Sequence, residues 1–309
     1  MNKLSVVITA YNEENHIEEC LKSVGFADEI IVIDNSSTDK TVEIAKKFTK
    51  KIFTQVNDPL NIDMQKNFGF GKATNEWILS LDADERVDKE LAKEIKVAIQ
   101  NSVFNAYKLP RKNIIFGKWI EHSFLWPDHQ TRLFRKGKGK YMHGEVHQQL
   151  AVEGQVGVLL QPLLHENYQS ISQYLQKMDR YTENEAIHLV KKNTHFHRMD
   201  ALRLPVRDFL KTFFLQEGYK DGIHGLVISI LQSFYMFLVW AKVWEKQGFV
   251  QTVDNKKFLA DIFAEGEKLY SEVTYWFLTH LIESTVNPLK QTKLRIQRKI
   301  AKKVSERAE

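Results

Sequence analysis

Hydrophobic and polar positions alternate between two periods over the first ninety residues of the chain. Short aliphatic runs of strand length are separated by segments in which apolar residues recur at helical spacing. The predicted strands cover residues 4–9, 29–33, 51–55 and 77–81, and the predicted helices cover residues 17–24, 41–48 and 65–73. Strands that alternate with helices in this way predict βαβ units, right-handed crossovers and a parallel sheet.

Polar segments follow three of these strands. Right-handed crossovers bring the loops after Thr9, Ile33 and Leu81 to one edge, where open α/β sheets bind their ligands. Asp82 and Asp84 stand two positions apart, so an extended backbone would aim both carboxylates at one point. A hard divalent cation, or a diphosphate bound through it, suits such a pair. The alternative is a surface turn with solvated acids.

The pattern changes after residue 88. A helix is predicted over residues 89–100, and strand-like segments cover 106–109, 113–116, 130–135, 146–152 and 156–164. Helical spacing then marks residues 170–188, 208–215, 225–246, 256–270 and 272–283. We therefore expect an α/β domain over residues 1–168, Rossmann-like, with helices on both faces of a mostly parallel sheet. Antiparallel or mixed strands are added beside it, and a helical extension covers residues 169–309.

Composition is that of an ordinary globular protein, with 43% hydrophobic and 27% charged residues in 309. The single cysteine, Cys20, fits a reducing compartment, and no secretory signal is recognisable, so a cytoplasmic location is expected. Between Lys290 and Arg307, eight Lys or Arg residues accompany one Glu. Such a run favours an anionic surface or the solvated face of a helix. No nucleic-acid partner is expected, because the run lacks an aromatic stacking pattern.

Four motifs follow one another in the first ninety residues: VVITAYNEE (6–14), VIDNSSTDKT (32–41), QKNFG (65–69) and LDADER (81–86). In order and spacing they resemble family 2 glycosyltransferases, nucleotide-sugar-dependent enzymes with the GT-A fold. The segments WPDHQTRLFRK, VHQQL, LLHENY and GYKDGIHGL extend a narrower resemblance to about residue 245. They resemble the WaaE-type branch, which includes glucosyltransferases of the lipopolysaccharide core.

The resemblance implies inverting transfer of a sugar, expected to be a hexose from a UDP-sugar, onto an acceptor hydroxyl. It implies a divalent cation, Mn²⁺ or Mg²⁺, with metal ligands at Asp82, Asp84 and His165. The implied nucleotide-binding residues are Thr9, Tyr11, Glu13, Asp34, Gln65, Asn67 and Asp82. Among these, Asp34 matches the aspartate that accepts the uracil imide N–H, whereas Gln65 and Asn67 are equally compatible with surface positions.

Arg132 and Arg135 flank Phe134, and this alternation predicts that both guanidiniums lie on one strand face. They would bind a diphosphate there or cover the sheet surface. His165 is expected to close an apolar strand, where a structural or solvated histidine is the alternative.

An inverting enzyme needs a carboxylate that deprotonates the acceptor hydroxyl. Asp128 is the first choice, because it precedes a strand in the part of the chain expected to face the acceptor. Glu145 is the second choice, and His147 would assist. Gln148 stands where relatives commonly have an acid, so this position supplies no base.

Residues 225–241 form a run of 17 without a charge, at the lower limit of about 17 to 25 for a membrane span. A buried helix, an interfacial helix and a span all remain open. Peripheral contact with the inner face of the cytoplasmic membrane would suit an acceptor that is a cell-envelope glycan or lipid-linked.

Two other functional classes fit the sequence less well. A nucleotidyltransferase would have a glycine-rich basic loop after the first strand, but residues 10–14 are acidic and lack glycine. A catalytically impaired, membrane-associated scaffold of the same fold would not need Asp34, Asp82 and Asp84, although Gln148 leaves this alternative open.

Overall fold

The computed structural model describes residues 1–59, 61–101, 103–142, 149–250 and 254–307. The chain divides into two compact units, Met1–Tyr174 and Leu175–Glu309. In chain order, the strands of the first unit are β1 (Leu4–Ala10), β2 (Glu29–Asp34), β3 (Ile52–Thr54), β4 (Trp77–Asp82), β5 (Glu85–Arg86), β6 (Ala106–Ile115), β7 (Lys118–Trp119), β8 (Asp128–Arg135), β9 (Gly139–Lys140), β10 (Ala151–Val152), β11 (Val156–Val158) and β12 (Leu163–Tyr168). Its helices are α1 (Ile17–Ser23), α2 (Thr41–Ala45), α3 (Ile62–Lys72) and α4 (Lys89–Ala98), with a 3-10 turn at Ser123–Leu125.

A mixed sheet in the order β3-β2-β1-β4-β8-β6-β12-β5 forms the centre of this unit. Strands β1 to β4 are parallel to one another, as the alternating pattern predicted. One face packs on α1 and α4, and the other face packs on α3 through Phe70 and Ala73. A Cβ at Gly69 would lie 2.6 Å from side-chain atoms of Val7 and Ile33, so glycine allows α3 its close approach. The predicted α/β class with helices on both faces is confirmed.

The antiparallel part of the sheet begins at β8, which lies between β4 and β6 and is antiparallel to both. The prediction of separate strands over 106–109 and 113–116 is wrong, because β6 is continuous. Strand β6 contains Pro110, which cannot donate a backbone hydrogen bond. Its parallel partner β11 ends opposite Lys108, and β12 begins opposite Arg111. Pro110 therefore lies opposite the gap between these partners, which explains why the strand tolerates it.

The apolar run over residues 156–164 is likewise two strands, β11 and β12, rather than one. His165 does not close a strand, since β12 continues to Tyr168 along the partner strand β6. Of the predicted segment 146–152, the structure describes residues 149–152, and within these Ala151 and Val152 form a strand paired with β9. Residues 143–148, including Glu145, His147 and Gln148, lie outside the described part of the chain.

The remaining helices are α5 (Ile171–Lys191), α6 (Asp200–Leu210), α7 (Ile223–Lys246), α8 (Asn255–Ser284) and α9 (Pro288–Arg307). A π-helical turn, Lys211–Leu215, continues α6, so the helix predicted over 208–215 begins earlier. The helices predicted over 256–270 and 272–283 are one helix, α8. Within this helix, the buried hydroxyl of Ser271 donates a hydrogen bond to the Ala301 carbonyl of α9. The basic run of the sequence belongs to α9.

Candidate active site

The loops after β1 and β2 are hydrogen-bonded to each other. Asn12 donates its backbone N–H to Ser37 Oγ (2.9 Å), and its side-chain oxygen accepts the backbone N–H of Thr38 (2.8 Å). Asn12 adopts a left-handed φ of 55°, which asparagine tolerates better than most residues. Asp34 is buried, and its Oδ1 accepts the backbone N–H of Ser37 at 3.0 Å. The two loops thus form one fixed polar rim at the carboxyl ends of β1 and β2.

Several predicted nucleotide-binding residues lie on or beside this rim. Thr9 is buried, and among the described residues its hydroxyl has no hydrogen-bond partner. Tyr11 is 41% exposed. Glu13 accepts a hydrogen bond from the buried imidazole of His16 at 2.8 Å. This bond outweighs the opposing effect of burial and raises the pKa of His16. The rim therefore presents an exposed ring, a buried hydroxyl and a buried carboxylate, a suitable set for a nucleoside.

The two predicted nucleotide-binding residues on α3, Gln65 and Asn67, make their side-chain hydrogen bonds with residues outside the polar rim. Gln65 donates from Nε2 to the Asp58 carbonyl (2.7 Å), and in the described part of the chain nothing pairs with its buried Oε1. Asn67 donates to the Tyr141 carbonyl (2.9 Å) and accepts the Tyr141 N–H (3.0 Å). The amide of Asn67 thus connects α3 to the segment just before residues 143–148.

Asp82 ends β4 between two cations. Its carboxylate lies 2.8 Å from Lys66 Nζ and 2.6 Å from an Arg132 terminal nitrogen. Burial raises the pKa of Asp82, but the charges of Arg132 and Lys66 lower it more, so it lies well below its usual range. Burial lowers the pKa of Lys66, but the charge of Asp82 raises it more, so the pKa lies above its usual value. Asp82 is therefore an ionised group already neutralised by protein side chains.

Glu85 completes this buried charge cluster. It is fully buried, its Oε1 lies 2.6 Å from Arg132, and its Oε2 accepts the Asp82 backbone N–H at 2.9 Å. Sequence reasoning missed Lys66 and Glu85, although both lie in the quoted motifs. The available signal was helical spacing, since Lys66 stands four positions before the inward-facing Phe70 on α3.

The interpretation that Arg132 and Arg135 share one strand face is wrong. Side chains an odd number of positions apart leave opposite faces of a strand. Arg132 turns to the carboxyl end of β4, whereas Arg135 pairs with Glu76 and lies 4.7 Å from the Trp77 ring centroid at the other end. Of these two arginines, Arg132 is the one that lies beside the candidate site.

Asp82 and Asp84 do not continue one strand either. Strand β4 ends at Asp82, and a turn separates it from β5, so the alternation of an extended backbone no longer applies. Asp84 instead faces His165, with 3.6 Å between Oδ2 and Nε2. Within the described ranges, no three His, Cys, Asp or Glu side chains converge as a metal site. The structure thus brings together two of the three predicted metal ligands, Asp84 and His165.

Asn113 fixes the orientation of His165. This fully buried asparagine donates from Nδ2 to the Leu125 carbonyl (2.8 Å), so its Oδ1 faces His165 Nδ1 at 2.7 Å. His165 therefore donates from Nδ1, and in the neutral ring Nε2 presents a lone pair towards the Asp84 carboxylate. An oxygen and a nitrogen acceptor that face each other in this way fit a shared divalent cation. Histidine ligands of metals are usually oriented by such a hydrogen bond.

Asp128 begins β8 and is held by three side chains. Arg111 binds Oδ2 through Nε (2.8 Å) and a terminal nitrogen, and Gln130 donates to Oδ1 at 2.7 Å. Burial raises the pKa of Asp128, but the charge of Arg111 and these hydrogen bonds lower it overall. Asn113 Nδ2 is 3.5 Å from Asp128 Oδ2, so the same asparagine contacts both predicted groups. The second predicted base, Glu145, lies among residues that the structure does not describe.

The parallel half-sheet, the polar rim and the acidic turn after β4 are features of a GT-A fold. The glycosyl transferase family 2 model matches residues 5–150. A glycosyltransferase of Rickettsia typhi is 30% identical over 258 residues, 79% of this chain and 88% of the relative. The chain belongs to glycosyl transferase family 2 and is a glycosyltransferase.

The chain is also similar to three further proteins. A glycosyltransferase of Rickettsia prowazekii is 30% identical, with 82% of this chain and 92% of the relative covered. The lipopolysaccharide core biosynthesis glycosyltransferase LpsC of Rhizobium meliloti is 26% identical, covering 79% of this chain and 92% of that protein. Among solved structures, S. aureus TarS 1–349 in complex with UDP-GlcNAc is 16% identical, with a TM-score of 0.42. That match covers 80% of this chain and 92% of the TarS chain.

Proposed function

We propose that the protein is an inverting, metal-dependent glycosyltransferase that moves a hexose from a UDP-sugar onto a hydroxyl of a cell-envelope glycan. The observation that carries the metal dependence is the pair of acceptor atoms, Asp84 Oδ2 and His165 Nε2, 3.6 Å apart. Mg²⁺ and related cations commonly take one or two protein ligands and complete their coordination with substrate phosphates and water. When bound, the cation would stabilise the charge that develops on the leaving diphosphate.

The residues of the chain itself have separable tasks in this proposal. Asp34, fixed by the Ser37 N–H, accepts the imide N–H of uracil. Arg132 and Lys66 form a cationic wall held in place by Asp82, and this wall adds electrostatic stabilisation beside the diphosphate. Asp84 and His165 hold the cation.

We assign the general base to Glu145 ahead of Asp128. A general base must be accessible and must have a pKa suited to taking a proton. Both carboxylate oxygens of Asp128 already accept hydrogen bonds, and Arg111 lowers its pKa. These contacts suit a positioning residue better than a base.

The base assignment is tested by measuring sugar transfer in Glu145→Gln and Asp128→Asn. Glu145→Gln is expected to lose about 10² to 10⁴ in transfer rate while UDP binding is kept. If Asp128→Asn alone abolishes transfer, with UDP and metal binding intact, Asp128 is the base and the assignment to Glu145 is wrong.

The proposal for the acceptor class is based on a relative, not on the geometry of the site. LpsC is named for lipopolysaccharide core biosynthesis, and we propose an acceptor of that kind, either the lipopolysaccharide core or another lipid-linked envelope glycan. Such an acceptor places the reaction on the inner face of the cytoplasmic membrane.

A donor-hydrolysis screen tests the central proposal. UDP-, GDP- and dTDP-sugars are incubated with the full chain in Mn²⁺, Mg²⁺ or EDTA, and release of the nucleotide is measured. We expect hydrolysis only with UDP-sugars and a divalent cation, and its loss in Asp84→Ala. Glu90→Ala is the matched control, since this exposed acid on α4 pairs only with the neighbouring Lys93 in the described contacts. Full activity in EDTA, or in Asp84→Ala, contradicts the metal assignment.

A further inference from the structure

Helix α7 exposes apolar side chains where a helix in water exposes polar ones. From Ile223 to Val243, the residues exposed to solvent are Ile223, Ile230, Phe234 and Phe237, at 36% to 68%. Their spacings of seven, four and three positions place them on one face. A surface helix of a water-soluble unit shows the reverse arrangement, with polar residues outward.

The polar residues of α7 point towards neighbouring helices. Ser233 donates to the Pro205 carbonyl in α6 at 2.8 Å, Tyr235 hydrogen-bonds Glu185, and Lys242 pairs with Asp179 in α5 at 2.6 Å. The exposed apolar row is therefore not a consequence of a wholly apolar helix. The helix is sorted only in part: Ile228, Val239 and Val243 are buried, but its polar side chains also turn towards neighbours, and its exposed positions in this stretch are all apolar.

Helix α8 repeats this sorting. Its exposed apolar side chains follow one face, with 48% to 75% of each exposed: Leu259, Phe263, Tyr270, Phe277 and Leu281. Its inward side combines the buried Leu269 and Ile282 with charges, because Arg203 in α6 pairs with the buried Glu265 and Arg207 pairs with Glu272 at 2.8 Å. The exposed Glu267 interrupts the apolar row. Both helices thus leave a row of large apolar side chains exposed, and rows of this kind favour a covering surface.

Helix α9 adds a cationic surface to the same unit. Its exposed apolar residues Leu289, Ile296 and Ile300 share one face, and the exposed Lys290, Lys293, Arg295 and Lys299 accompany them. A helix with an apolar face and a strongly basic remainder is typical of segments that lie in the interface of an anionic bilayer.

We propose that the outer rows of α7 and α8, with the cations of α9, dock the protein on an anionic phospholipid bilayer. The inference extends the proposed location at the inner membrane face, and it does not depend on the donor or the base. Apolar side chains would enter the acyl boundary, and Lys and Arg would contact the headgroup phosphates. A second copy of the chain would cover the apolar rows but would be repelled by the cations of α9.

Helix α7 lies along the surface in this proposal and does not cross the bilayer. Its 24 residues give a length of about 36 Å, enough to span a hydrocarbon core. The Ser233–Pro205 contact, however, attaches it to α6, whose Arg203 and Arg207 are paired with α8. A spanning α7 would carry these ion pairs into the hydrocarbon, whereas a helix in the interface leaves them on the aqueous side.

Vesicle flotation of the full chain tests the proposal, with phosphatidylcholine vesicles compared with vesicles that also contain phosphatidylglycerol. Wild type should float with the anionic vesicles, and high salt should weaken the binding. The variant Ile230→Gln/Phe234→Gln/Phe237→Gln should bind on the order of tenfold less, since three outward apolar groups are lost. The control Val97→Gln/Leu160→Gln replaces apolar residues of the first unit that are more exposed, at 74% and 79%, and should bind as wild type.

Donor hydrolysis without vesicles is measured on the same proteins, so that loss of the proposed activity is distinguished from loss of docking. Hydrolysis should be equal in wild type, the triple variant and the control. Lys293→Glu/Lys299→Glu should abolish the preference for anionic vesicles. The proposal is overturned if wild type does not float, or if the triple variant floats as well as wild type. It is also overturned if the triple variant only converts a soluble dimer to a monomer, because the occupant is then a second copy.

Discussion

Replacement of Asn113 by leucine isolates the orientation of His165 from the metal ligands themselves. Leucine has a similar volume but cannot accept the hydrogen bond from His165 Nδ1, which spans 2.7 Å in the wild type. The imidazole is then free to rotate or to place its proton on Nε2, the atom that faces Asp84. Loss of such an orienting partner costs about 10 to 100-fold in metal affinity, equivalent to about 1.4 to 2.7 kcal/mol.

The assay is a Mn²⁺ titration of UDP-sugar hydrolysis, with the half-saturating Mn²⁺ concentration compared between wild type and Asn113→Leu. Asn113→Asp is the comparison variant, because it keeps an oxygen acceptor for His165, although it loses the amide donor to the Leu125 carbonyl and brings a second carboxylate towards Asp128. Asn113→Asp should recover part of the Mn²⁺ affinity that Asn113→Leu loses. If Asn113→Leu remains folded by circular dichroism and its half-saturating Mn²⁺ is within twofold of wild type, the orientation argument is refuted.

Two further predictions concern stability. Burial raises the pKa of Glu29, but contacts with Lys51, Ser5 and Thr74 outweigh this effect and lower the pKa from 4.5 to about 2. The ionised group therefore stabilises the fold fully above about pH 4.5 and progressively less towards pH 2. Glu29→Gln should lower the free energy of unfolding by about 3 kcal/mol at neutral pH, as measured by chemical denaturation. If the difference between wild type and variant does not shrink in acid, this reasoning is contradicted. Gly69→Ala should destabilise the protein by about 1 to 3 kcal/mol, because the added methyl meets two core side chains. Its midpoint temperature of thermal unfolding should therefore fall. In Gly71→Ala, where the added methyl meets nothing within 4 Å, the midpoint should be unchanged or slightly raised.

The parallel half of the fold could be predicted from the sequence because its information is local. Buried strands, helical spacing and polar turns follow one another within eighty residues, and crossover handedness then determines which loops meet. The partners of Asp82 could not be found in this way. Lys66 is 16 positions away on a helix, and Arg132 is 50 positions away on β8. An antiparallel strand inserted beside β4 depends on its register, which the local pattern does not encode.

The same distinction applies to the helical region. The uncharged run of α7 predicted a helix, but it left open whether that helix is buried, interfacial or spanning. The answer depends on which side chains find partners on α5 and α6, and Lys242 and Ser233 find them on the inward side. Periodicity shows that a helix has two faces. It does not show which face a neighbouring helix covers.

The two acids of the LDADER motif are chemically different groups once their partners are known. Asp82 is compensated by Lys66 and Arg132, so it adds little net negative charge for a cation to use. Asp84 faces Nε2 of His165, whose Nδ1 lies 2.7 Å from the Asn113 side-chain oxygen. A cation at Asp84 would therefore lie close to a wall of positive side chains. A dianionic diphosphate is the kind of ligand that can satisfy both at once, since it can bind the cation through some oxygens and the wall through others.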